Sequence, residues 1–283
     1  ELSMKKKILG FAAAALLTVG LAACGNGGSD SADSSSKEKS DTLVVGASPT
    51  PHAEILEHVK PLLEKEGVNL EIKKFDDYVL PNKALADKDI DANYFQHKPF
   101  FNKAVKENDY KFTDVGAVHI EPMGLYSKKI KDIKDLKEGA TVITSSSESD
   151  WGRIITILQD ADLVKVKDGV DLETATFDDI TENPKNLKFD HSIDPALLAT
   201  TYSNDEGDLV AINANFAYGA GLNPVKDAVL LEKDTSPYAN ILAVRTEDKD
   251  DPRIEKLNKV LHEKDVQDWI LEKWDGSVKP VDK

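Results

Sequence analysis

The chain has one cysteine, Cys24, in 283 residues. A disulfide within one molecule is therefore excluded, and so is a cysteine-rich metal site. Basic residues are in deficit: 36 Lys and Arg face 51 Asp and Glu, a formal net charge of −15. Such a surface argues against nucleic acid as a partner and against peripheral contact with anionic lipid. Beyond residue 23 no apolar run approaches the roughly 18–20 residues that a membrane-spanning helix needs. The G-x-S-x-G nucleophile motif is missing and no nucleophile–base pair stands out, which points away from an enzyme. His52, His58, His97, His119 and His191 match no compact ligand spacing. Neither a metal nor a cofactor is expected.

What is present begins with a basic start, Met4 to Lys7, followed by an apolar stretch from Ile8 to Ala23 and small residues before Cys24. This is the plan of a secretory signal. Leu21-Ala-Ala-Cys24 is similar to a bacterial lipobox, which would make Cys24 the lipid-bearing first residue of the mature chain. Two acyl chains suffice for stable anchoring where one is marginal. The expectation is a membrane-tethered, extracytoplasmic body. Residues 1–23 are read as the signal with a short extension before Met4. Residues 24–41 are read as a lipid-anchored linker, because Gly25 to Ser40 is Gly-, Ser- and Asp-rich and nearly free of apolar residues.

Removal of the signal leaves roughly 260 residues, enough for one or two domains. The hydrophobic fraction of 40% can supply a sizeable core. Leu43-Val-Val-Gly-Ala reads as a strand. Ile55, Leu56, Val59, Leu62 and Leu63 mark a helix over 52–66, and residues 69–75 alternate like a second strand. A short helix over 81–87 and a strand end at 90–95 complete the first unit. The pattern restarts at Thr141-Val-Ile-Thr, with a loop over 145–150 and a helix over 151–161. A strand at Lys188-Phe189, a helix over 194–202 and a strand end at Leu209-Val-Ala-Ile-Asn213 follow. The chain then returns through a strand near 238–245 to helices over 251–263 and 265–274. Alternating strands and helices predict an α/β fold with parallel strands, in two units with a cleft between them.

Several longer motifs are specific: Ala47-Ser-Pro-Thr-Pro-His-Ala-Glu-Ile-Leu, Asp91-Ala-Asn-Tyr-Phe-Gln-His, His119-Ile-Glu-Pro-Met-Gly, Asp179-Ile-Thr-Glu-Asn-Pro-Lys-Asn-Leu and Ser236-Pro-Tyr-Ala-Asn. On them the chain resembles the NlpA/MetQ family of substrate-binding lipoproteins, over nearly all of its mature length. The resemblance implies a two-lobed periplasmic-binding-protein fold of type II-like plan. One lobe would be 42–125 plus 243–283 and the other 126–242. It also implies a monomer that passes methionine, or a related apolar amino acid or short peptide, to the permease and ATPase of an ABC importer. The competing reading is a surface interaction protein, an adhesin or a peptide source, that keeps the fold without transport.

A buried amino-acid zwitterion needs a cation for its carboxylate and acceptors for its ammonium. Arg153, expected in the first turn of a helix, is the candidate for the carboxylate, and the resemblance places that role on it. The alternative is a surface arginine paired with Glu148 or Asp150. Asn213 and Asn215 lie at a strand's carboxyl end, where ligands collect in open α/β sheets, or else simply form turns. Tyr78, Phe95 and His97 correspond to the family's aromatic side-chain pocket, with Phe100 where the family often has Tyr. His119 is a further candidate contact. Phe95 and Tyr94 should point oppositely, one to the cleft and one to the core. The chain departs from the family at Ser145 to Arg153, where Asp150 replaces an expected Asn and Trp151 a Gly. Asp150 could pair with the ligand ammonium or with Arg153, and Trp151 could cap the pocket or lie outside it. These changes suggest a specificity shifted away from plain methionine.

Overall fold

The computed structural model describes residues 41–283. The expected signal, Cys24 and the linker through Ser40 lie outside them. The chain opens with β1 (Thr42–Ala47), α1 (Glu54–Glu64), β2 (Asn69–Lys74), α2 (Leu80–Ala86), β3 (Ala92–His97), α3 (Lys98–Asn108) and β4 (Phe112–Ile120). Next come β5 (Gly124–Tyr126), β6 (Thr141–Ser145), α4 (Glu148–Asp160), β7 (Lys165–Val166), β8 (Ile180–Glu182) and β9 (Lys188–Ile193). After them run α5 (Leu198–Ser203), β10 (Leu209–Ile212), α6 (Ala214–Gly219), α7 (Pro224–Asp227) and β11 (Leu230–Leu231). The last stretch holds β12 (Asn240–Arg245), α8 (Pro252–Leu261), α9 (Lys264–Lys273) and β13 (Lys279–Pro280).

The strands form two principal sheets, in the orders β13-β4-β12-β3-β1-β2 and β11-β5-β10-β6-β9. In the first, β1 runs parallel to both β2 and β3, with Thr42 opposite Asn69 and Val45 opposite Ala92. A strand paired on both edges and covered on both faces must be apolar nearly throughout, which is why Leu43-Val-Val-Gly-Ala could be read without alternation. The returning β12 inserts antiparallel between β3 and β4. In the second sheet β6 lies parallel to both β10 and β9.

Each sheet has its own core. Leu43, Val45, Leu56, Val59, Leu242 and Leu257 pack about the first sheet, and Leu125, Val142, Ile154, Ile155, Leu158 and Leu209 about the second. Helix α1 buries Ile55, Leu56, Val59 and Leu63 on one stripe. A fully buried Leu or Ile contributes roughly 1.5–3 kcal/mol, so each sheet holds its helices by apolar burial.

Several expected bounds shift. The helix expected over 151–161 starts at Glu148, so the loop is shorter and Arg153 lies in the second turn rather than the first. Glu148 and Asp150 occupy the first turn, where the helix dipole favours acids. The helix expected over 194–202 divides into a 3-10 turn at Pro195–Leu197 and α5. The chain passes from the first sheet to the second between Ile120 and Gly124 and returns between Leu231 and Asn240.

Candidate functional site

Strand β3 is buried along its whole length and sets one wall. Tyr94 points into the first core beside His52 and His119. Phe95, on the opposite face, lines a cavity together with His97. The cavity is partly open to solvent. Tyr78 and Phe100 complete its aromatic side, with ring centroids 5.7 Å apart and Phe95 at 6.1 and 5.9 Å from them.

His97 caps α3: its Nδ1 accepts the Phe100 backbone N–H at 3.1 Å. The ring proton therefore sits on Nε2, which donates to Asp150 Oδ1 at 3.2 Å. Asn213, just past β10, donates from Nδ2 to Asp150 Oδ2 at 3.0 Å. Asn215 accepts the Tyr78 hydroxyl. Burial opposes ionisation of Asp150, but the His97 and Asn213 bonds and the Arg153 charge outweigh it and hold its pKa below the ordinary carboxylate range.

Arg153 is 5% exposed, which removes the surface reading. Its partner is neither Glu148 nor Asp150 but Glu232, beyond β11. Nε donates to Oε2 at 2.9 Å and Nη2 to Oε1 at 2.5 Å, and Nη2 also reaches the Glu121 carbonyl at 3.3 Å. Glu232 Oε1 further accepts the Met123 N–H at 3.1 Å, and Tyr238 lies 4.1 Å beneath the guanidinium. Desolvation works against the charge, and the Glu232 carboxylate overcomes it, raising the arginine pKa.

Eight expected residues thus meet around one cavity: Tyr78, Phe95, His97, Phe100, Asp150, Arg153, Asn213 and Asn215. His119 does not line it. It stands behind, its Nδ1 bonded to the Tyr94 hydroxyl and its Nε2 donating to Glu121 Oε1 at 3.2 Å. Glu121, Gln96, Ala214 and Asn240 line the cavity unforeseen. Three of these stand inside motifs already singled out, so the motifs marked the segments but not the side chains. Glu232 carries no such signal, since Leu-Leu-Glu-Lys-Asp reads as ordinary polar chain. Trp151 lies outside the cavity, against Phe177 and His191, with its indole N–H on the Ser145 carbonyl at 2.7 Å.

The fold brings His52, His119 and Glu121 together, with donor atoms within 4.8 Å of one another. Their spacing in sequence gives no hint of this. His52 Nε2 donates to Asn240 Oδ1 at 2.8 Å, so both imidazole nitrogens facing Glu121 carry protons. A cation there would have to break both bonds. His52 is fully buried and its pKa falls to about 4, chiefly through desolvation, with Glu121 opposing. The unfolded chain therefore binds the extra proton between pH 6.5 and about 4. Stability is full above pH 6.5 and is lost as the pH falls through that window, by roughly 3 kcal/mol from this group. Denaturant unfolding at pH 7 and pH 4.5 should show this loss, and His52→Gln should flatten the profile. An equally steep profile in the variant would exclude His52 as its source.

Residues 43–282 match the family model described as NlpA lipoprotein. The methionine-binding lipoprotein MetQ of Bacillus subtilis is 47% identical over 281 residues, covering 98% of this chain and 99% of that one. A crystal structure from Enterococcus faecalis, described as a pheromone cOB1 precursor/lipoprotein of the YaeC family, shares 63% identity. Its TM-score is 0.84, over 85% of this chain and all of that one. A nutrient-binding protein from Burkholderia cenocepacia, solved bound to methionine, is 41% identical with a TM-score of 0.79, over 84% and 99% of the two chains.

Proposed function

The chain belongs to the NlpA lipoprotein family, a family of non-enzymatic binding proteins with a two-lobed α/β fold, and from this we propose that it captures methionine or a related apolar amino acid outside the cytoplasm for an ABC importer. Cys24 carries the lipid anchor in this reading, and the cell of origin is Gram-positive. In this reading the lobes are 42–125 plus 243–283 and 126–242. The observation that carries the reading is one cavity combining a buried Arg153, a carboxylate–amide cluster at Asp150 and Asn213, and an aromatic wall. Those are the three chemistries of an apolar amino acid: carboxylate, ammonium and side chain. The methionine seen in the Burkholderia relative supports the choice of ligand.

Mass spectrometry of small molecules released by denaturing the purified protein tests this directly. Methionine or another apolar amino acid in the extract is expected. A purified protein that yields none, and binds none by calorimetry, would end the transport reading. Phe95 is 3% exposed and meets both Tyr78 and Phe100, so Phe95→Ala should weaken methionine binding at least about tenfold, by loss of ring–sulfur contact and apolar cover. Calorimetric titration of the variant gives the answer, and an unchanged Kd would place the side chain of the ligand elsewhere.

A second reading is a peptide source, supported by the description of the Enterococcus relative as a pheromone precursor. It predicts fragments of this chain's leader in the culture medium, which peptide mass spectrometry would detect.

A further inference from the structure

The hydrogen-bonding capacity left in the cavity is lopsided. Two acceptor atoms in buried wall residues have no partner, Glu121 Oε2 and Asn213 Oδ1, on side chains only 8% and 6% exposed. The donors are largely engaged. His97 Nε2 and Asn213 Nδ2 both serve Asp150. Arg153 gives its Nε and Nη2 edge to Glu232, so only the end of its fork remains for a ligand. Charge is lopsided in the same sense. Glu121 and Asp150 in the wall, with Glu232 behind it, set three buried carboxylates against the single guanidinium of Arg153. A buried carboxylate oxygen without a partner is strongly unfavourable, and a ligand ammonium, with three donors and no acceptor, is the group that would satisfy it.

We propose that the cavity recognises its ligand through the ammonium first and accepts ligands whose carboxylate charge is masked, so that α-amino amides bind alongside free amino acids. The inference rests on the amino-acid reading of this cavity and extends its ligand class. A zwitterion leaves the carboxylate excess uncorrected, whereas an amino amide of net charge +1 reduces it. Acylating the amine removes both the charge and two donors, and leaves Glu121 Oε2 and Asn213 Oδ1 unsatisfied. Asp150 sets the balance, because its isosteric amide would remove one of the three charges without changing shape.

The experiment is calorimetric titration of the purified protein at pH 6.5, where the amine of an amide stays protonated. Three series are compared, built on methionine, leucine and phenylalanine: free acid, carboxamide and N-acetyl derivative. In the series that binds, the carboxamide is expected within about tenfold of the acid, and the N-acetyl form at least about 100-fold weaker. Asp150→Asn is expected to lower the carboxamide-to-acid affinity ratio about tenfold. If methionine fails but leucine or phenylalanine shows this order, methionine is the wrong ligand and the inference stands. A carboxamide more than about 100-fold weaker than its acid, an N-acetyl form that binds as well as the acid, or no binding in any series overturns it.

Discussion

Replacing Arg153 with alanine should weaken amino-acid binding by at least about 100-fold and also destabilise the free protein. The two effects have different sources. The first is the loss of the only guanidinium among the cavity residues, which leaves a ligand carboxylate without a counter-charge in a desolvated space. The second comes from Glu232, 7% exposed, whose carboxylate lies against the arginine at 2.5 Å. Removing one partner of a buried ion pair strands the other, at about 3–5 kcal/mol. Arg153→Lys separates them: a lysine can restore a charge near Glu232 but not the planar fork that also reaches the Glu121 carbonyl. That variant should recover much of the stability and little of the affinity. Denaturant unfolding and calorimetry on both variants give the two readouts. Wild-type affinity in Arg153→Ala would remove the residue from the site. Wild-type stability in the same variant would mean that the Glu232 carboxylate finds another partner.

How much of this was legible beforehand depended on how each segment announces itself. Strand β1 is an uninterrupted apolar run and α1 carries a clear 3.6-residue stripe, so both could be placed. The stretch from Lys98 to Ile120 could not. Helix α3 reads Lys-Pro-Phe-Phe-Asn-Lys-Ala-Val-Lys-Glu-Asn and buries only Phe101 deeply, so it has no stripe to find. Strand β4 is broken by Asp114 and Gly116, and its pairing with β12 shifts register twice. The opposed directions of Tyr94 and Phe95 followed from the period-2 geometry of a strand, and resemblance was needed to decide which faced the cleft. The partner of Arg153 was out of reach for a different reason. Residues 153 and 232 meet only because α4 packs on the sheet whose edge strand is β11, and nothing local distinguishes Glu232 from the solvated acids around it. Spacing in sequence offers Arg153 only near neighbours such as Glu148 and Asp150, which is the range over which spacing arguments work.

The other large effect falls on Gly152, beside Arg153 in α4. A Cβ built there meets the Leu172 carbonyl oxygen at 2.0 Å and the Glu173 carbonyl carbon at 3.0 Å. Both are backbone atoms and cannot rotate away. To reach ordinary contact, either α4 or the 171–174 segment must move by more than an ångström. The helix is the less yielding of the two, since Ile154, Ile155, Ile157 and Leu158 lock it into the second core. The segment is itself held, by the Thr174 N–H to Asp171 carbonyl turn at 3.1 Å and by the buried Ala175 that follows. Gly152→Ala should therefore destabilise the protein by about 1–3 kcal/mol, and Gly152→Val by more. The strain should also reach the cavity. Arg153 is the next residue of α4, so whatever shift the helix takes up at Gly152 displaces the guanidinium from Glu232 and from the Tyr238 ring. Ligand affinity should fall together with stability in Gly152→Ala, whereas the Phe95→Ala change should weaken affinity out of proportion to stability. Thermal unfolding followed by calorimetry distinguishes the two patterns. A Gly152→Ala protein that melts with the wild type would show that the segment gives way freely, and that α4 does not depend on a glycine at this contact.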